Sequence, residues 1–126
     1  RFKEKLSYKI DVDSSLENKE IPSMLLQPIV ENAINHGIFN KLENGIINIK
    51  FSAINENEIK IEIVDDGVGF EKTLKKSKKI KSSQVLKDRI HFLNMSKVWE
   101  IQYFNEMAFP EANYVGNKSI FIIKKI

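Results

Sequence analysis

The sequence predicts an α/β domain: a two-layer sandwich with helices on one face of a single mixed, mostly antiparallel sheet. Three observations predict it. Segments of period two recur along the chain, segments of helical period alternate with them, and Asn, Gly and Pro mark the turns between. At 126 residues and 42% hydrophobic content, the chain supplies one core, so residues 1–126 read as a single domain.

The elements follow in order. Phe2 to Val12 alternates, with Leu6, Tyr8, Ile10 and Val12 on one face, as a strand does. Asp13 to Glu20 is polar and turn-like. Pro22 stands where a proline opens a helix, and the helix is expected to run to about His36. Leu26, Val30, Ala33 and Ile34 make its apolar side, and Gly37 stops it. Ile46 to Ile54 and Ile59 to Val64 form a hairpin through Asn55-Glu56-Asn57. Residues 71–82 carry little apolar content and no period, and read as a loop. Ser83 to about Ser96 returns to helical spacing through Val85, Leu86, Ile90 and Leu93. Two further strands are expected near Trp99 to Phe104 and Ser119 to Ile123, with turns at Phe109-Pro110 and Gly116-Asn117.

Composition removes several functions. There is no cysteine, hence no disulfide framework and no thiolate metal site. Two histidines, His36 and His91, do not make a histidine-rich metal cage. No apolar run approaches the ~20 residues of a membrane-spanning helix. The net charge of +3 is modest, and its basic residues crowd into Lys72, Lys75, Lys76, Lys78, Lys79 and Lys81. That run is either a solvated segment or a neighbour of phosphate groups. No aromatic residues interleave it, so a nucleic-acid partner is not expected. Arg1 and Phe2 lead straight into a strand with no initiating methionine, and the chain is expected to be a piece of a longer protein.

Two segments carry chemistry. On the helix from Pro22, about 100° per residue brings Asn32, Asn35 and His36 together, opposite the apolar side. A surface helix ordinarily fills its polar face with Lys and Glu; here it holds amides and an imidazole. An asparagine oxygen can ligate Mg²⁺ without adding charge, and Mg²⁺ takes few protein ligands beside substrate phosphates. Amides that hydrogen-bond a neighbouring loop would give the same pattern. The second segment, Asp65-Asp66-Gly67-Val68-Gly69, ends a strand. A carboxylate there can accept from an exocyclic amine, and glycines two apart let backbone approach a ligand closely. A plain strand-end turn explains those residues as well.

In this order and on these elements the two segments resemble the nucleotide boxes of one family. Ile21 to Gly37 (IPSMLLQPIVENAINHG) is similar to the N box of LytS/YesM-type sensor histidine kinases, where a Pro precedes L-Q-P and then E-N-A-x-x-H-G. Val64 to Phe70 (VDDGVGF) is similar to their G1 box. Both boxes belong to the wider GHKL superfamily, whose domain is the Bergerat α/β sandwich. The resemblance implies the ATP-binding catalytic domain of a two-component protein-histidine kinase, with ATP and Mg²⁺ as cofactors. It makes Asn32 the Mg²⁺ ligand and Asp65 the acceptor for the adenine amino group, with Gly67 and Gly69 shaping the pocket. Asn35 and His36 would lie along the ligand side, His36 either beside a phosphate or serving the helix end.

Related ATPases that hydrolyse ATP carry a glutamate four residues before the Mg²⁺ asparagine. Here that position is Pro28, which cannot act as a base, so the domain is expected to hold ATP for transfer. The acceptor histidine would lie on a separate helical dimerisation domain before Arg1, with a response regulator as the relay partner. The whole protein is then expected to be a membrane-anchored bacterial homodimer with this domain in the cytoplasm. Lys87-Asp88-Arg89-Ile90 matches the family's helix after the lid. The lid itself departs from the family: none of the five glycines lies between Phe70 and Gly116, and Ser82 and Ser83 offer hydroxyls instead. Asn35 replaces a common lysine, and Gly116-Asn117 stands where a Gly-Thr pair is common. These departures keep open a degenerate module that binds nucleotide weakly and transmits conformation.

Overall fold

Two isoleucine-rich strands build the centre of the sheet. In the computed structural model, which describes residues 6–16, 19–22, 25–32, 45–67 and 77–126, β2 (Gly45–Ala53) and β3 (Glu58–Asp65) pair antiparallel with Ile49 opposite Ile63. Asn55 makes their turn. Its Oδ1 accepts the backbone N–H groups of Asn57 and Glu58 at 2.8 and 3.0 Å, and its amide donates to Glu58 Oε1 at 3.0 Å. A side chain that folds the backbone over itself in this way lets the hairpin close without glycine.

β1 (Leu6–Val12) lies parallel to β2, and the chain between them passes through α1 (Leu26–Asn32). After α2 (Ser77–Met95), β4 (Trp99–Glu106) forms the second edge, and β5 (Asn117–Lys125) inserts between it and β3. The five-stranded order is β1-β2-β3-β5-β4, with β1–β2 the parallel pair.

The pleat decides what is buried. On β3, Ile59, Ile61, Ile63 and Asp65 point inward while Lys60, Glu62 and Val64 point out. On β5, Ser119, Phe121 and Ile123 do the same. These apolar side chains form one core with Leu25, Ile29, Leu86 and Leu93, so the helices cover one face. The other face is water-facing and charged, with Lys60 Nζ 2.8 Å and Lys118 Nζ 3.8 Å from the Glu62 carboxylate. Asn94 fastens α2 to the sheet: its Oδ1 accepts Ile101 N–H at 2.7 Å and its Nδ2 donates to Ile101 O at 3.3 Å. Among the described residues no helix is long and apolar enough to cross a membrane.

Four expectations change. Pro22 does not open the helix; α1 begins at Leu26, and Pro28 occupies its first turn, where a missing N–H leaves no helical bond unmade. The buried stripe is Leu25, Pro28 and Ile29, with Leu26 and Val30 only half-buried. Residues 77–82, expected in a loop, are the first part of α2. Lysine is a good helix former, and a segment with few apolar residues shows no apolar period. Gly116-Asn117 is not a free turn, because Asn117 already pairs with Asp65 as the first residue of β5. Residues 33–44 and 68–76, and with them Ala33, Ile34, Asn35, His36, Gly37 and Gly69, lie outside the described residues, as do the side chains of Asn32, Ser82 and Ser83.

Candidate functional site

Two neighbouring carboxylates at the end of β3 do different work. Asp65 continues the inward series of isoleucines and is 3% exposed. Its Oδ1 accepts Gly67 N–H at 2.9 Å, folding the chain back directly after the strand. Asp66 turns away from this position and staples the start of β2. Its Oδ1 accepts Ile46 N–H at 2.7 Å, while its own N–H donates to Ile46 O at 3.3 Å. A buried carboxylate costs several kcal/mol of lost hydration unless polar partners compensate, so its place at the end of an aliphatic row makes Asp65 a candidate functional position.

Gly116 is locked against this turn. Its N–H donates to Gly67 O at 2.9 Å, its φ is +64°, and a Cβ there would overlap Asp65 O. Only glycine satisfies both the left-handed backbone and the close approach. The Asp65–Gly67 turn and the entrance to β5 therefore form one unit, with Asp65 and Asn117 register partners on the helix-facing side.

Beyond Asn117 the polar character continues inward. Ser119, fully buried, receives Asn117 Nδ2 and Asn105 Nδ2, each at 3.1 Å, and lies 3.3 Å from Tyr103 OH. Asn105 Nδ2 also reaches Tyr103 OH at 3.2 Å. Burial pushes the Tyr103 hydroxyl above its ordinary pKa, against the opposing pull of Ser119 and Asn105. Its ring lies 4.9 Å from that of Phe121, at 38°. Among the described residues, Asn117 Oδ1 is buried with no hydrogen-bond partner. Sequence reasoning singled out Asp65 and Gly67 but missed this cluster. Its signal was Ser119 at an inward position of an otherwise apolar strand.

On the helix side, Asn32 is the last described residue of α1, four residues after buried Pro28 and three after buried Ile29. Glu31 is exposed and accepts Gln27 Nε2 at 3.0 Å, away from the core. Lys87 and Asp88 of the Lys87-Asp88-Arg89-Ile90 motif face solvent, where Asp88 accepts Gln84 Nε2 at 2.9 Å. Among the described residues no group of three or more His, Asp or Glu side chains is placed to hold a metal ion.

Comparison with known proteins identifies the family. A segment of 74 residues is 40% identical to the sensor protein LytS of Oceanobacillus iheyensis, covering 59% of this chain and 12% of that protein. A longer segment, 95 residues, is 34% identical to the sensor histidine kinase YpdA of Escherichia coli, covering 75% of this chain and 16% of the relative. Over these segments the chain is similar to sensor histidine kinases. Its fold is also that of a solved kinase of this kind, the blue-light activated histidine kinase of Erythrobacter litoralis. The two share a TM-score of 0.65 at 13% identity, over 96% of this chain and 36% of that one. No family model matches the sequence. The matched segment spans less than a fifth of the length of either LytS or YpdA. The five-stranded sheet with helices on one face is thus a histidine-kinase catalytic-domain fold.

Proposed function

We propose that this domain binds Mg-ATP at the polar end of the sheet and presents it for transfer of the γ-phosphoryl group to a histidine on a dimerisation domain of the same protein. The imidazole nitrogen would bond to the γ-phosphorus as the bond to the β–γ bridging oxygen breaks, releasing ADP. Relay to a response regulator would follow. The observation that supports this best is Asp65: a buried carboxylate at the end of the central strand, in a turn that Gly67 and Gly116 hold tight. It would accept a hydrogen from the adenine amino group. Gly69 would complete the pocket, and Asn35, His36, Ser82 and Ser83 would face the phosphates.

The donor set suits Mg²⁺ held largely by nucleotide. Asn32 would give one neutral oxygen, with phosphate oxygens and water supplying the rest, since Mg²⁺ commonly takes few protein ligands. When bound, the ion would neutralise phosphate charge; the protein's part is positioning. Glu31, turned outward to Gln27, is poorly placed as a base for water, which favours transfer over hydrolysis.

The test is ATP labelling of the full-length protein. Asp65→Asn and Asn32→Asp should each abolish phosphohistidine; normal labelling in both would overturn the site. One observation favours a second reading, a signalling module with little kinase activity. Ser82 and Ser83 lie within α2, where backbone N–H groups are taken by the helix and cannot wrap phosphates as a glycine lid does. That reading expects no phosphohistidine even in the unmodified protein with its regulator present.

A further inference from the structure

Asn117 has an acceptor to spare, and its surroundings explain how that acceptor is aimed. Ser119 Oγ can accept two hydrogen bonds and donate one. It takes Asn117 Nδ2 and Asn105 Nδ2 and has its own hydrogen available for Tyr103 OH, so its capacity is filled. The Asn117 amide is thereby held by its nitrogen, and its oxygen is left buried and unpartnered among the described residues. A buried acceptor left without its hydrogen bond is unfavourable, so a group that completes the bond on binding gains accordingly.

Asp65 is the register partner of Asn117, and both side chains stand on the helix-facing side of adjacent antiparallel strands. Directly opposed residues there have Cβ atoms about 5 Å apart. An –NH₂ group whose two hydrogens are each bonded at about 2.9 Å needs acceptors about 5 Å apart. Two acceptors carried on such a register pair can together span one exocyclic amine.

We propose that Asn117 is a second base-reading residue. Its Oδ1 accepts one hydrogen of the purine amine while Asp65 accepts the other, and Ser119 acts as a positioning residue that fixes the amide. This deepens, and rests on, the nucleotide reading above. The ligand class it selects is an aminopurine nucleotide with both amine hydrogens intact. An oxo-purine would set an oxygen against two acceptors, and a singly N6-methylated purine would leave one acceptor unmet.

The experiment is calorimetric titration of the domain with ATP, N6-methyl-ATP and ITP in the presence of Mg²⁺. Unmodified protein should bind N6-methyl-ATP about tenfold more weakly than ATP, the value of one ordinary hydrogen bond, and ITP more weakly still. In Asn117→Ala the ratio of ATP to N6-methyl-ATP should fall to within about twofold, because the second hydrogen no longer has an acceptor. Ser119→Ala should reduce the ratio partway with the thermal transition still cooperative, a change in selectivity that a purely structural serine would not cause. Near-equal binding of ATP and N6-methyl-ATP by the unmodified protein overturns the proposal even if no variant folds. An unchanged ratio in Asn117→Ala also overturns it, assigning the discrimination to pocket shape. Failure of ATP itself to bind overturns the nucleotide site and this proposal together.

Discussion

The β3–β5 ladder has two ends of opposite character. At one, Ile59 faces Ile123 and Ile61 faces Phe121; at the other, Ile63 faces Ser119 and Asp65 faces Asn117. Apart from Asn117, all these residues are buried on the same face of the same two strands. The aliphatic end gains stability from every side chain it removes from water. The polar end buries the Asp65 carboxylate and the Ser119 hydroxyl and half-buries Asn117 and Tyr103, groups that at best recover in hydrogen bonds what they lose in hydration. Similar burial therefore does not mean equal purpose: one end holds the sheet to its helices, and the other, on the proposed function, is shaped for a ligand.

Substitution at the aliphatic end should cost the most. Phe121 is fully buried and lies against the Tyr103 ring. Phe121→Ala should lower unfolding free energy by about 3–5 kcal/mol, measured by denaturant titration. A loss below about 1 kcal/mol would mean the ladder is not the centre of the core.

Gly116→Ala comes next and tests the joint between turn and strand. The new Cβ overlaps Asp65 O on a backbone at φ +64°, so β5 or the Asp65 turn must shift. A destabilisation of about 1–3 kcal/mol is expected, with nucleotide binding weakened by more than the stability loss explains, because Asp65 moves with the turn. Binding unaffected in the folded variant would separate this joint from the site.

Asp65→Asn should sharpen the contrast furthest. The amide oxygen can keep the bond from Gly67 N–H while the buried charge disappears, so stability should stay within about 1 kcal/mol of the unmodified protein. Nucleotide binding should be lost. A marked loss of stability with binding intact would place Asp65 among structural residues.

How much of this could be read beforehand follows the same division. The β2–β3 hairpin was legible, because alternation and an asparagine turn state pairing and register together. Asp65 and Gly67 were legible because a carboxylate and glycines at a strand end are chemically unusual. The stripe on α1 was misread: Leu26/Val30 and Leu25/Ile29 are both apolar pairs four apart, and only the sheet decides which is buried. The start of α2 was missed because helix formation in a lysine-rich segment with few apolar residues leaves no period to detect. Ser119 looked like an interruption of a strand, since its partners Asn105 and Asn117 lie 14 and 2 residues away and meet only once β4 and β5 pair.

The smallest expected effects lie in pH dependence, and they too divide by end. Asp13 sits beside the aliphatic end, where the backbone N–H of Ser15, and then that of Ala53, holds its carboxyl below the usual range. A lowered folded pKa means protons bind more readily to the unfolded chain. Asp13 thus stabilises above the ordinary carboxylate pKa, and that contribution is lost as pH falls through its folded value. Glu62, lowered chiefly by the Lys60 hydrogen bond, adds to the same acid limb from the outer face. Tyr103 belongs to the polar end, and burial raises it. Its neutral form is favoured by folding, so its contribution is whole below the ordinary tyrosine pKa and disappears as pH rises through the folded one. Thermal melts across pH should therefore show Tyr103→Phe flattening the alkaline limb alone, and Asp13→Asn flattening part of the acid limb with Glu62's share remaining. An alkaline limb unchanged in Tyr103→Phe would mean that the hydroxyl ionises in place. The Ser119 cluster would then be open to water, and the polar end could not keep an amide oxygen dry for a base.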